Sequence, residues 1–133
     1  MPDGRSRVAG DSAPWSSEQL RDLSAAIEVE VSVPRRDGGF GRWTTIWVAV
    51  AGTGVFVRTW RRRETGWYGG AVRAGHARIR VGERAVDVIV EATGETDAAT
   101  VDAAYRSKYG DLAARSMVTA EAAASTLRLT PRR

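Results

Sequence analysis

"WTTIWVAVAGTGVFVRTWR", residues 43–61, decides the fold. Ile46, Val48 and Val50 alternate with Thr45 and Trp47, the period of a strand with one buried face. "GTG" at 52–54 is hairpin chemistry, because glycine accepts the positive φ that tight turns need. The alternation then resumes, with Val55 and Val57 on one face and Phe56, Arg58 and Trp60 on the other. The spacing predicts two antiparallel strands, over 43–51 and 55–61.

The same period recurs outward. Val29, Val31 and Val33 alternate with Glu28, Glu30 and Ser32 until Pro34, and "RDGG" at 36–39 is a turn. Downstream, runs at 76–81 and 84–91 flank Gly82-Glu83 as a second hairpin, and Leu127 and Leu129 mark a last strand. Helices fill the gaps. Ser16 and Gln19 have capping-box spacing, with Trp15 and Leu20 at the staple positions and Leu20, Leu23 and Ile27 on the buried stripe. A short helix is expected over 65–74. Another, capped by Thr96 or Asp97, carries Ala98, Val101, Ala104 and Tyr105, and a third covers 119–125. Six short strands and three or four short helices make an α+β chain with a mainly antiparallel sheet, either a compact barrel or a sheet packed on helices.

Length and composition set bounds. The chain of 133 residues is expected to form one domain over 15–133, after a disordered tail at 1–14 that lacks apolar periodicity. No apolar run has the length of a membrane span, and the N-terminus lacks a signal-peptide core, so no membrane is expected and a cytoplasmic location is. With no cysteine and a single histidine, thiolate chemistry is excluded and no metal centre is expected. A net charge of +4 is modest and dispersed, and no nucleic-acid-binding module is present, so nucleic acid is not an expected partner.

The chemistry-bearing residues cluster in few places. Arg61, Arg62 and Arg63 end a strand just before the helix expected to start near Thr65. Guanidinium groups grip phosphate or carboxylate with paired hydrogen bonds, and a helix start adds free N–H groups, so the stretch reads as an anion clamp or as a solvated strand end. Trp47, Trp60, Trp67 and Tyr68 can stack on a planar ring or pack in the core. Proton-transfer candidates are His76, Asp87, Tyr105 and Tyr109. Lys108 beside Tyr109 would lower a phenol pKa, and the competing role for both tyrosines is packing on an amphipathic helix. Asp87 and Glu91 share a strand face but stand roughly 13 Å apart, too far for a carboxylate pair.

Trp47, the Arg58/Trp67-Tyr68 block, "YRSKY" at 105–109 and "TLRL" at 126–129 resemble a family of small bacterial proteins known only as a domain of unknown function, over nearly the whole chain from Trp15. More distantly, the order of strand, basic loop, Trp-Tyr helix and strand across 55–81 is similar to the flavin-binding split-barrel superfamily, which includes pyridoxamine-phosphate oxidase-like proteins and deazaflavin-dependent nitroreductases. That resemblance implies a six-stranded antiparallel split β-barrel, a homodimer, and FMN or a deazaflavin held by Arg61, Arg62, Arg63, Thr65, Trp67 and Tyr68. The function it implies is a small oxidoreductase acting on a small-molecule metabolite. Two other readings stay open. One is a cofactor-independent enzyme using His76, Asp87 or Tyr105; the other is a non-catalytic dimeric ligand-binding protein.

Overall fold

The computed structural model of the chain describes residues 12–59 and 66–133. Its elements in order are α1 (Ser17–Ala25), β1 (Val29–Ser32), β2 (Thr44–Ile46), β3 (Ala49–Ala51), β4 (Gly54–Val57), α2 (Gly66–Ala74), β5 (His76–Val81), β6 (Arg84–Ala92), α3 (Ala98–Tyr109), a 3-10 turn (Ala113–Met117), α4 (Ala120–Ala124) and β7 (Leu127–Pro131). The strands form one antiparallel sheet in the order β2-β1-β5-β6-β7-β4-β3.

The sheet therefore has seven strands among the described residues, not six. The run over 43–51 breaks at Trp47-Val48, and its halves pair with different neighbours. β2 takes β1 as its partner and β3 takes β4. The topology explains the break. β2 and β3 are the two edges of the sheet, yet only two residues separate them in the chain. Ile46 to Ala49 spans at most about 11 Å. The sheet must curl until its edges come together, which gives a half-barrel with Trp47-Val48 at the corner. β6 shows the same curl in its stagger, pairing with β5 through Arg84 to Ile89 and with β7 through Val88 to Ala92.

Alternation sorts the side chains as the period predicts. Val29, Val31, Ile46, Val55, Val57, Ala77, Ile79, Val88, Leu127 and Leu129 fill the concave side. Ala49 and Phe56 point the other way and pack with Val101 and Tyr105 of α3 and with Ala114 and Met117 of the 3-10 turn. The Ser16–Gln19 capping box forms reciprocally, at 2.9 and 3.0 Å. Trp15 is buried beside that cap and donates its indole N–H to Leu129 O at 2.9 Å. Helix α2 lies so close to the end of β1 that a Cβ on Gly70 would sit 2.8 Å from Val33 Cγ2.

Several boundaries differ from expectation: β4 stops at Val57 and not at 61, and Ile27, expected on the buried stripe, lies beyond α1 and is exposed. α3 starts after Asp97, which stands in the left-handed region at φ 60 and makes no side-chain cap, so neither candidate caps the helix by its side chain. The described chain is already paired at Ser12, which bridges to Arg132, and Ala13 N–H donates to Pro131 O at 2.8 Å. Residues 1–11 of the expected tail lie outside the described residues. No helix among the described residues is long and apolar enough to cross a membrane.

Candidate functional site

The corner at Trp47-Val48 leaves backbone groups without strand partners, and α3 supplies them. The Tyr109 hydroxyl donates to Ile27 O at 2.6 Å and accepts from Val48 N–H at 3.3 Å. Lys108 Nζ donates to Val48 O at 2.8 Å and to Leu23 O at 2.9 Å. The Tyr109 ring stacks on Trp47 with centroids 4.0 Å apart and planes 5° off parallel. One helical turn thus holds the sheet corner and fixes the plane of a tryptophan.

Beside the corner opens a cleft of about 320 Å3. Trp47, Thr45 and Ile46 line one side, Arg58 and Thr59 the end of β4, Trp67 the start of α2, and Ser116 and Met117 the 3-10 turn, with Glu28 at the approach to β1. The Arg58 side chain is 0% exposed. Its Nε donates to Thr126 Oγ1 at 2.8 Å, and its Nη1 to Asp102 Oδ1 at 2.5 Å and to Met117 O at 2.8 Å. Thr126 and Ser125 act as a matched pair at the end of α4. Each hydroxyl donates back to a helix carbonyl, Ala123 O and Ala122 O, both at 2.6 Å. Each also accepts from the end of β4, Thr126 from Arg58 and Ser125 from Thr59 N–H at 3.0 Å. β4 is thereby pinned where the chain runs on into Arg61, Arg62 and Arg63.

The sequence candidates are dispersed. Trp47 and Trp67 meet in the cleft. Arg61, Arg62, Arg63 and Thr65, with Trp60, lie outside the described residues. Tyr68 is buried in the core, its ring edge-on to Trp67 at 5.7 Å. His76 starts β5, its Nδ1 3.2 Å from Arg132 Nη1, and does not line the cleft. Asp87 is exposed on β6 and pairs with Arg78 at 2.6 Å, a hydrogen bond that holds its carboxyl below the usual range and weakens it as a base. Tyr105 is fully buried with its hydroxyl unpartnered, and burial pushes its phenol up. Burial raises Tyr109 as well. The depression that Lys108 was expected to cause is reversed in direction, because burial dominates at Tyr109, while the ammonium donates to carbonyl oxygens. Among the described residues no group of His, Cys, Asp and Glu could hold a metal ion.

Asp102 and Ser125 are residues that reading by motif passed over, and Arg58 and Thr126 stood out only as parts of the family likeness, not as site residues. A signal was present. Arg58 shares a strand face with Phe56, and a charge on such a face needs a partner. Asp102 is the one acid in α3 and adjoins the Val101/Tyr105 stripe.

Two expected results follow. Tyr105→Phe deletes a buried hydroxyl that makes no well-formed hydrogen bond and reaches only the Arg58 backbone, so stability should change by less than about 1 kcal/mol. A fall in melting temperature of more than about 5 °C would show that the hydroxyl is bonded in solution. The second concerns pH. Burial pushes Lys108 down from 10.5 to about 8, so between those values the unfolded chain binds the proton that the folded chain has lost, and stability rises with pH. Above about pH 10 unfolded tyrosines ionise while buried Tyr105 and Tyr109 resist, so stability falls. Urea denaturation from pH 7 to 11 should give a maximum between about 9 and 10, and Lys108→Met should flatten the rise. A steady fall from pH 7 in the unsubstituted protein would contradict this.

The profile of the family described as "Uncharacterized protein conserved in bacteria (DUF2255)" matches residues 19–129, from the capped helix through β7. The chain belongs to this family. No curated protein sequence matches this DUF2255 chain. Among solved structures it is similar to the conserved hypothetical protein Rv2991 from Mycobacterium tuberculosis, at TM-score 0.61 and 14% identity over 92% of this chain and 84% of that one. It is also similar to a heme binding protein from Mycobacterium smegmatis, at TM-score 0.61 and 12% identity over 91% of this chain, and it spans 52% of that protein's length. A putative pyridoxamine 5'-phosphate oxidase from Corynebacterium glutamicum superposes at TM-score 0.47 and 13% identity, over 100% of this chain and 92% of that one. At these identities the first two likenesses establish a shared fold for the DUF2255 chain.

Proposed function

We propose that this protein binds a planar, flavin-type cofactor in the cleft at the sheet corner and works as a small oxidoreductase of the split-barrel kind. The observation that carries the reading is that Trp47 and Trp67, from elements far apart in the chain, line one cleft of about 320 Å3. That volume lies within the range of small-molecule sites, and such sites combine aromatic walls with a few convergent polar groups. Here the polar groups are Thr45, Arg58, Thr59 and Ser116.

The donor set suits a flavin better than a haem. The only histidine stands outside the cleft lining and the chain has no cysteine, which leaves the Met117 thioether as the one familiar axial-ligand type among the described lining residues. A tricyclic ring needs flat apolar contact and a few hydrogen bonds, which the lining residues offer. When bound, a flavin supplies hydride transfer, and the protein's part is to hold, orient and shield it. Trp47 would give a fixed wall, since Tyr109 already holds its other side. Arg61, Arg62 and Arg63 would take the phosphate. What supports that assignment is that Thr59 and Trp67, which bracket the arginine stretch, both line the cleft.

The test is a titration of riboflavin and FMN into purified protein, read by the visible flavin band and by tryptophan fluorescence. A shifted band with quenched emission is expected, and Trp67→Ala should weaken both. A flavin spectrum unchanged by excess protein, with unquenched tryptophan, would reject the reading.

A further inference from the structure

Arg58 has more donors than partners. Nε and Nη1 make three hydrogen bonds, while Nη2 is buried and has none. A dry guanidinium nitrogen with both hydrogens unused is costly, and such atoms in a native fold call for an explanation. The residue is also held too firmly to turn away. Thr126, Asp102 and Met117 O fix the plane of the guanidinium from three elements, and Arg58 itself lines the cleft.

We infer that Arg58 is the specificity-determining residue of the cleft, offering Nη2 to an uncharged carbonyl oxygen on the edge of a planar heteroaromatic ligand, the lactam or imide type of edge. The inference rests on the cleft being a ring-binding site and adds what part of the ring is read. Charge selects carbonyl over carboxylate. Asp102 already neutralises Arg58, and Glu28 on the lining adds a further negative charge. A carboxylate placed there would face two others with one cation between them, whereas a neutral oxygen meets only the unused N–H. Nη2 is closed off by packing in this structure, and Met117, whose carbonyl oxygen holds Nη1, also lines the cleft with an unbranched thioether that changes rotamer readily. Asp102 and Thr126 are positioning residues for this contact, not contacts themselves.

The probes are lumichrome, a neutral tricycle with an imide edge, and phenazine, a tricycle of similar size with no carbonyl. Tryptophan quenching gives both affinities. The unsubstituted protein should bind lumichrome at least about tenfold more tightly than phenazine. Arg58→Met should erase the preference by weakening lumichrome alone. If that variant does not fold, Arg58→Lys, which keeps the charge without the planar fork, should erase it too. Should neither fold, the Arg58 side-chain 15N signals of the unsubstituted protein must shift with lumichrome and stay put with phenazine. Equal affinity for the two probes, a preference that survives in a folded variant, or 15N signals indifferent to lumichrome each overturn the role of Arg58 while leaving ring binding intact. Binding of neither probe overturns the ring site itself, and this inference with it.

Discussion

Asp102→Ala should lower the melting temperature by about 10 °C. The Arg58 side chain is 0% exposed, while Asp102, its only carboxylate partner among the described residues, is 20% exposed. Removing the acid leaves a guanidinium in the wall between α3 and β4 with neither a counter-charge nor water. Breaking one side of a buried pair costs about 3–5 kcal/mol. Partial exposure of Asp102 puts the expected loss near the lower end, about 3 kcal/mol, which for a domain of this size converts to roughly 10 °C. The control is Asp87→Ala. It removes an ion pair of similar length, but both its side chains are well exposed, so the cost should stay under about 1 kcal/mol. Asp102→Asn, which keeps an acceptor for Nη1, should fall between the two. Equal losses for Asp102→Ala and Asp87→Ala would show that Arg58 is hydrated in solution and that the buried network is not a structural element.

Replacing Arg61, Arg62 and Arg63 together by Gln should weaken FMN by about 100-fold or more and leave riboflavin nearly unchanged. Glutamine keeps length and polarity and removes the charge. Each charge-assisted bond to phosphate contributes about 1.5–3 kcal/mol, so losing two of them accounts for a factor of at least about 100. Riboflavin lacks the phosphate and reports on the ring site alone. Unfolding midpoints should barely move if the three arginines serve the ligand and not the fold. If the unsubstituted protein holds FMN and riboflavin equally, the three arginines are a solvated strand end.

Where the sequence was legible, the reason was periodicity with a clear solvent side. Val29 and Val31, Val55 and Val57, and Leu127 and Leu129 reach the core faces that their alternation assigns. The capping box needed only four adjacent residues to be read. Trp47-Val48 was not readable as a break, because nothing local distinguishes a strand that continues from one that turns a barrel corner. The signal lies in which neighbours each half pairs with, and its hydrogen-bond partners, Lys108 and Tyr109, come from about sixty residues away. The same distance hid the site. "YRSKY" at 105–109 stands out in the sequence as a cluster of titratable groups and suggests proton chemistry. In the fold those groups satisfy the sheet corner and fill the space behind Phe56. Arg58 and Asp102 look ordinary because each is a lone charge in an apolar pattern, and only their meeting, 44 positions apart, makes them a pair.

The most direct test of the central claim is a crystal structure of the protein grown with FMN. Flat ring density between Trp47 and Trp67, one ligand per chain, is the predicted result. Density for the ring elsewhere on the molecule, or a cleft filled only by ordered water at saturating FMN, would contradict it.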